Sequence, residues 1–159
     1  MQSTATLDVG QAAPDFKLKG QGGRWVTLSE YRGGKNVMLV FYPLAFSGVC
    51  SHQLPTIEED LPRFTSLETV VFGISVDSHF TNTEFAQKLK LSFPLLSDFR
   101  KETSAAYGVL NPEAGHSGRA IFVVDKRGRI AYRDVSAAPG DLDQIPSNES
   151  VLEALVGLR

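Results

Sequence analysis

The sequence holds a single cysteine, Cys50, among its 159 residues. No disulfide can close within the chain, and neither a Cys-x-x-Cys redox pair nor a multi-cysteine zinc site exists. Such cysteine usage fits a reducing, cytoplasmic setting. Long apolar runs are also missing. The longest, Val37 to Phe46, contains Pro43 and reaches about half of the roughly 20 residues a membrane helix needs, so it reads as a buried strand. There is no dense Lys/Arg run, and the formal net charge of −2 leaves no basic stripe for phosphates, so nucleic acid is not expected as a partner. No glycine-rich loop follows a strand in the manner of a nucleotide or flavin site. Met1 to Asp8 is polar and lacks a cationic segment followed by an apolar one, so the mature chain is expected to start near residue 1. Repeats, low-complexity tracts and long linkers are absent, and a single domain over residues 1–159 is the expectation.

What remains, 42% apolar and 21% charged residues, suits one globular domain with a sizeable core. Asp15 to Leu18 and Arg24 to Leu28 flank the break Gln21 to Gly23 as a short N-terminal hairpin, with Ser29 expected to cap a brief helix. Asn36 to Tyr42 is apolar without alternation, as a central strand covered on both faces would be. Cys50 to Phe64 has helical spacing at Leu54, Ile57 and Leu61, with Pro55 and Pro62 expected to bend or interrupt it. Thr69 to Val76 reads as a second buried strand, Thr81 to Leu89 as a helix, Phe93 to Leu96 as a short strand and Thr103 to Tyr107 as a short helix. Ala120 to Asp125 and Arg129 to Tyr132 form a hairpin, and a last helix, Asn148 to Leu155, has Asn148 as its candidate cap. Alternating strands and helices followed by a hairpin imply an α/β sandwich with a mixed sheet.

Cys50 falls just after a strand, on a loop that opens a helix. Unpaired backbone N–H groups and the positive helix end favour thiolate over thiol there, and the thiolate is the nucleophile. A lone cysteine is otherwise more often inert core. Three residues earlier, the Ser47 hydroxyl is expected to lie within reach of the sulfur; its plain alternative is a helix cap. Pro43 either limits solvent access to the thiol or merely ends the strand. His52 lies one turn into the helix and is read as facing solvent. His79 and His116 lack companion ligands, so no metal is assigned. Trp25 and Phe41, Phe46, Phe72 and Phe122 are read as core or interface packing, and no cofactor is assigned.

The spacing Pro43, three residues, Ser47, two residues, Cys50 resembles the active-site signature of the peroxiredoxin family. The likeness extends to Ala13-Pro14-Asp15-Phe16, to the strand and loop Gly73 to Phe80, to Phe93 to Asp98, and to Arg119 to Asp125, covering roughly residues 10 to 135. The wording from Phe41 to Cys50 and the single cysteine look closest to the alkyl hydroperoxide reductase E type. The resemblance implies a thioredoxin-like α/β/α sandwich with a central mixed sheet. It also implies that Cys50 is the peroxidatic cysteine, Ser47 the hydroxyl that orients peroxide and thiolate, Pro43 a shield over them and Arg119 the active-site arginine. Many relatives carry Glu three positions after the cysteine, pairing with the arginine; this chain has Gln53, whose amide oxygen can still accept from Arg119.

The implied activity is reduction of hydrogen peroxide, organic hydroperoxides or peroxynitrite through a Cys50 sulfenic acid. With no second cysteine, the reductant has to come from outside: a low-molecular-weight thiol, a thioredoxin or a glutaredoxin-like protein. The family likeness also implies a homodimer or larger homo-oligomer. The competing readings are a redox sensor or holdase switched by Cys50 oxidation, a thioredoxin-like disulfide exchanger, which ordinarily needs two local cysteines, and a structural domain with an inert thiol.

Overall fold

The structure is a computed structural model that describes residues 6–136, 141 and 145–158. The first five residues, part of the segment read as leaderless, lie outside the described residues. The fold is organised by the strand β3, Asn36–Phe41, every residue of which is buried. Parallel to it runs β4, Thr69–Ser75, and antiparallel to it β8, Ala120–Val124. Adding β1 (Lys17–Lys19), β2 (Trp25–Thr27), β5 (Leu95–Ser97) and β9 (Ile130–Val135) gives a seven-stranded mixed sheet in the order β2-β1-β5-β4-β3-β8-β9. The N-terminal hairpin is β1 paired with β2.

Alternation along β3 divides the core between two faces. Met38 and Val40, followed by Tyr42, pack under the helices α1 (Gly48–Glu59), α2 (Leu61–Ser66), α3 (His79–Leu89) and α5 (Asn148–Val156) through Leu54, Ile57, Phe64, Phe85 and Leu155. Val37, Leu39 and Phe41 face Phe16, Leu28 and Tyr107 beside α4, Glu102–Ala106. The result is the expected α/β/α sandwich. Each such side chain contributes about 1.5–3 kcal/mol on full burial, which is why an apolar run lacking period-2 alternation occupies the middle of the sheet.

Several local expectations shift. Pro55 is accommodated inside α1, while the chain breaks at Asp60; Pro62 then sits in the first turn of α2, where a missing N–H costs nothing. Ser29 lies within a 3-10 turn, Leu28–Tyr31, instead of capping it, and its backbone N–H donates to Asp15 Oδ1 at 2.9 Å. α3 starts two residues before the expected Thr81, with the Ser78 hydroxyl accepting from the Thr81 N–H at 3.1 Å. Ser147, not Asn148, caps α5; Asn148 Nδ2 donates instead to the Thr56 carbonyl at 3.2 Å and to Asp60 Oδ2 at 3.0 Å, tying α5 to the end of α1. The two-residue ladder of β6 (Leu110–Asn111) and β7 (His116–Ser117) was not foreseen. Among the described residues, no helix is long and apolar enough to cross a membrane.

Candidate active site

Antiparallel pairing places two distant segments at one end of the sheet. Phe41, the last residue of β3, is opposite Ala120, the first of β8. The loop that follows β3 and the residue that precedes β8, Arg119, therefore meet there. Tyr42 continues from β3 into the loop, and its carbonyl accepts from Ser117 Oγ at 3.3 Å, a second tie between the two segments.

Cys50 lies in the first turn of α1 and is fully buried. Arg119 is also buried and donates through Nη2 to Cys50 Sγ at 3.1 Å and through Nη1 to Gln53 Oε1 at 2.5 Å. Burying a guanidinium is costly unless its donors find acceptors, so this geometry links the arginine to the sulfur and to the amide together. Cys50 and Gln53 are three residues apart on one helix, hence on the same face, which lets one planar fork reach both. A guanidinium has no acceptor, so the amide has to turn its oxygen toward Arg119; Gln53 Nε2 then has no hydrogen-bond partner among the described residues.

The other sequence candidates take these places. Pro43 is half-buried at the start of the loop. Ser47 occupies the cap position of α1, yet its side chain makes no capping bond; the hydroxyl donates to the Leu44 carbonyl at 2.8 Å. Neither the helix-cap alternative nor a bond to the sulfur describes that hydroxyl in this state. Rotation about Cα–Cβ or C–O is all that redirecting it requires. His52 is exposed. No group of three or more metal-binding side chains occurs among the described residues.

Sequence reasoning missed a buried polar network beside the thiol. Tyr42 Oη donates to Asn82 Oδ1 at 2.7 Å, Asn82 Nδ2 donates to Ser75 Oγ at 3.1 Å, and Ser75 Oγ donates to Asp77 Oδ2 at 2.7 Å. Burial holds the Tyr42 phenol well above its ordinary titration range, so it stays a neutral donor. The available signal was positional: Ser75 and Asp77 leave the same sheet edge as the thiol loop, at the carboxyl ends of parallel strands, where α/β sites collect.

Residues 9–133 match the family model described as the AhpC/TSA family. The chain belongs to that family, the peroxiredoxins. It is 44% identical over 138 residues to alkyl hydroperoxide reductase E of Mycobacterium tuberculosis (strain ATCC 25618 / H37Rv), covering 86% of this chain and 90% of that protein. Its fold matches the reduced 2-Cys peroxiredoxin of Plasmodium vivax with a TM-score of 0.83 at 29% identity, over 93% of this chain and 80% of that one. It likewise matches the peroxidoxin BcpB of Mycobacterium tuberculosis with a TM-score of 0.84 at 25% identity, over 96% and 99% of the two chains. The single cysteine of this peroxiredoxin, Cys50, is a free thiol, and the thioredoxin-like sandwich presents it beside Arg119.

Proposed function

We propose that this peroxiredoxin is a one-cysteine, thiol-dependent peroxidase whose nucleophile is Cys50. The observation that carries the reading is the buried Arg119 guanidinium, shared between Cys50 Sγ and Gln53 Oε1. The sulfur attacks one peroxide oxygen in line; an S–O bond forms as the O–O bond breaks, and the departing oxygen takes a proton and leaves as water or an alcohol. Negative charge grows on that oxygen in the transition state, and a fixed guanidinium beside the sulfur is placed to stabilise it. Ser47 turns its hydroxyl from Leu44 O to the peroxide, Pro43 shields the reacting atoms from water, and Gln53 keeps the arginine in place.

The product is a Cys50 sulfenic acid. An external thiol attacks it to give a mixed disulfide and water, and a second thiol releases Cys50 as the thiol again. Hydrogen peroxide releases water in this step and an organic hydroperoxide releases an alcohol, while peroxynitrite fits it with nitrite as the leaving group. A low-molecular-weight thiol, a thioredoxin or a glutaredoxin-like protein fits the second, in a reducing cytoplasm. Association into a homodimer or larger homo-oligomer is part of the proposal, supported by the exposed Trp25, Phe80 and Phe99 around one surface hollow.

Steady-state peroxide consumption with each class of reductant tests the proposal, with Cys50→Ser as the control. Turnover that depends on both an added thiol and Cys50 supports it. Oxidation of Cys50 that no thiol reverses, with no turnover, would remove the peroxidase reading and leave the sensor or holdase. Light scattering at micromolar concentration tests the assembly.

A further inference from the structure

We infer that Asp77 is a positioning residue for the thiol loop, acting through the backbone N–H of Ala45. The inference rests on the peroxidase reading and deepens it. Ala45 lies between Pro43 and Ser47, and its N–H donates to Asp77 Oδ2 at 2.7 Å. The carboxylate is itself anchored: Ser75 Oγ donates to Oδ2 at 2.7 Å, and the Asp77 carbonyl accepts from Ser97 Oγ at 2.6 Å. Ser75 is held in turn by Asn82, which accepts from Tyr42, the residue that leads into the loop. The chain of bonds closes on itself, from Tyr42 through Asn82, Ser75 and Asp77 back to Ala45.

The loop needs such an anchor because it is strained. Phe46 has φ 66°, a left-handed conformation that an aromatic residue rarely adopts. Its half-exposed ring rests on Phe85 of α3 at 4.9 Å between centroids, with Lys88 Nζ 5.6 Å from its centre. Asp77, Phe85 and Lys88 therefore hold the loop from the side of α3, immediately before Ser47 and the first turn of α1. Without the Ala45 tie, Phe46 relaxes toward ordinary backbone angles and Ser47 moves with it. The sulfur stays where Arg119 and α1 hold it.

A displaced hydroxyl costs peroxide chemistry more than it costs plain alkylation. A misplacement of about 1 Å in a reacting constellation is worth up to on the order of 100-fold. Asp77→Ala should thus lower the second-order rate of Cys50 oxidation by hydrogen peroxide about 10- to 100-fold. Alkylation of Cys50 by iodoacetamide, which needs no peroxide orientation, should stay within about threefold. Asp77→Asn keeps an acceptor but loses the charge; because charge-assisted bonds are roughly twice as strong as neutral ones, its loss should be about the square root of the first, roughly 3- to 10-fold. If Asp77→Ala fails to fold, Asp77→Asn carries the test.

Peroxide rates that fall in that order while alkylation holds support the inference. Variants that match wild type in peroxide rate, or that lose alkylation in proportion, would overturn it, the second outcome marking Asp77 as merely structural. A wild type no faster with peroxide than a free thiol overturns the peroxidase reading, and this inference with it.

Discussion

Replacing Arg119 by lysine keeps the charge and removes the fork. In the native site, Nη2 serves Cys50 Sγ at 3.1 Å and Nη1 serves Gln53 Oε1 at 2.5 Å. An ammonium gathers its three donors on one atom at the end of a flexible stem and cannot reproduce the two fixed, parallel N–H directions of the fork. One charged hydrogen bond is therefore lost or badly bent in the transition state. Such bonds are worth about 1.5–3 kcal/mol, and each 1.36 kcal/mol is tenfold in rate, so oxidation of Cys50 should slow about 10- to 150-fold. The assay is rapid mixing of the reduced protein with hydrogen peroxide, quenching and counting of added oxygen by mass spectrometry. Melting temperatures of the two proteins separate a catalytic from a folding effect. An Arg119→Lys protein that folds and reacts within about threefold of wild type would refute the reasoning, because charge alone would then suffice.

Gln53→Glu should retain peroxidase activity, since a carboxylate oxygen can take over the bond from Arg119 Nη1; a loss of about two orders of magnitude would show that this position does not support the arginine. Gly73→Ala should lower thermal stability by about 1–3 kcal/mol. A Cβ there would meet Leu95 Cδ2 at 2.5 Å and Tyr42 Cε1 at 3.2 Å, and both side chains are fully buried with nowhere to retreat; an unchanged melting temperature would contradict this packing. Burial raises the titration point of the Asp98 carboxyl, although it accepts from the N–H groups of Thr103 and Ser104. The folded protein then binds this proton up to a higher pH than the unfolded chain does, so Asp98 makes stability fall as pH rises between the unfolded and folded titration points. Carbon NMR of the carboxyl should show a midpoint above that of an unfolded aspartate, and a midpoint at or below it would contradict the assignment.

The features legible in the sequence were those written in one short stretch. The unbroken apolar run from Val37 to Phe41 marked the central strand, because a strand covered on both faces has no polar side to alternate with. The strand–loop–helix order placed Cys50 in a first helical turn, and the structure places it there. Arg119 was harder. By itself it is one more arginine before a strand, and only its likeness to a known segment singled it out; the antiparallel pairing of Phe41 with Ala120 then accounts for its closeness to the loop. Asp77 and Asn82 were given no role because the partners that tie them to the thiol loop, Ala45 and Tyr42, lie 32 and 40 residues away, although family likeness had marked the strand and loop that carry Asp77. The helix caps slipped by a residue or two because serine, threonine and asparagine are all good caps, and neighbouring candidates such as Ser147 and Asn148 are told apart only by packing. The hydroxyl of Ser47 was likewise undetermined, since a rotor that can meet a carbonyl, a sulfur or a peroxide leaves no trace in residue order.

The peroxidase chemistry of Cys50 is read most directly from the bimolecular rate of oxidation of the reduced protein by hydrogen peroxide, an alkyl hydroperoxide and peroxynitrite, measured by stopped flow. Wild type and Cys50→Ser are compared, and mass spectrometry locates the product. Oxidation far faster than that of a free thiol is expected, with one oxygen added at Cys50 and none in Cys50→Ser. Oxidation of Cys50 at the rate of a free thiol would contradict the peroxidase reading.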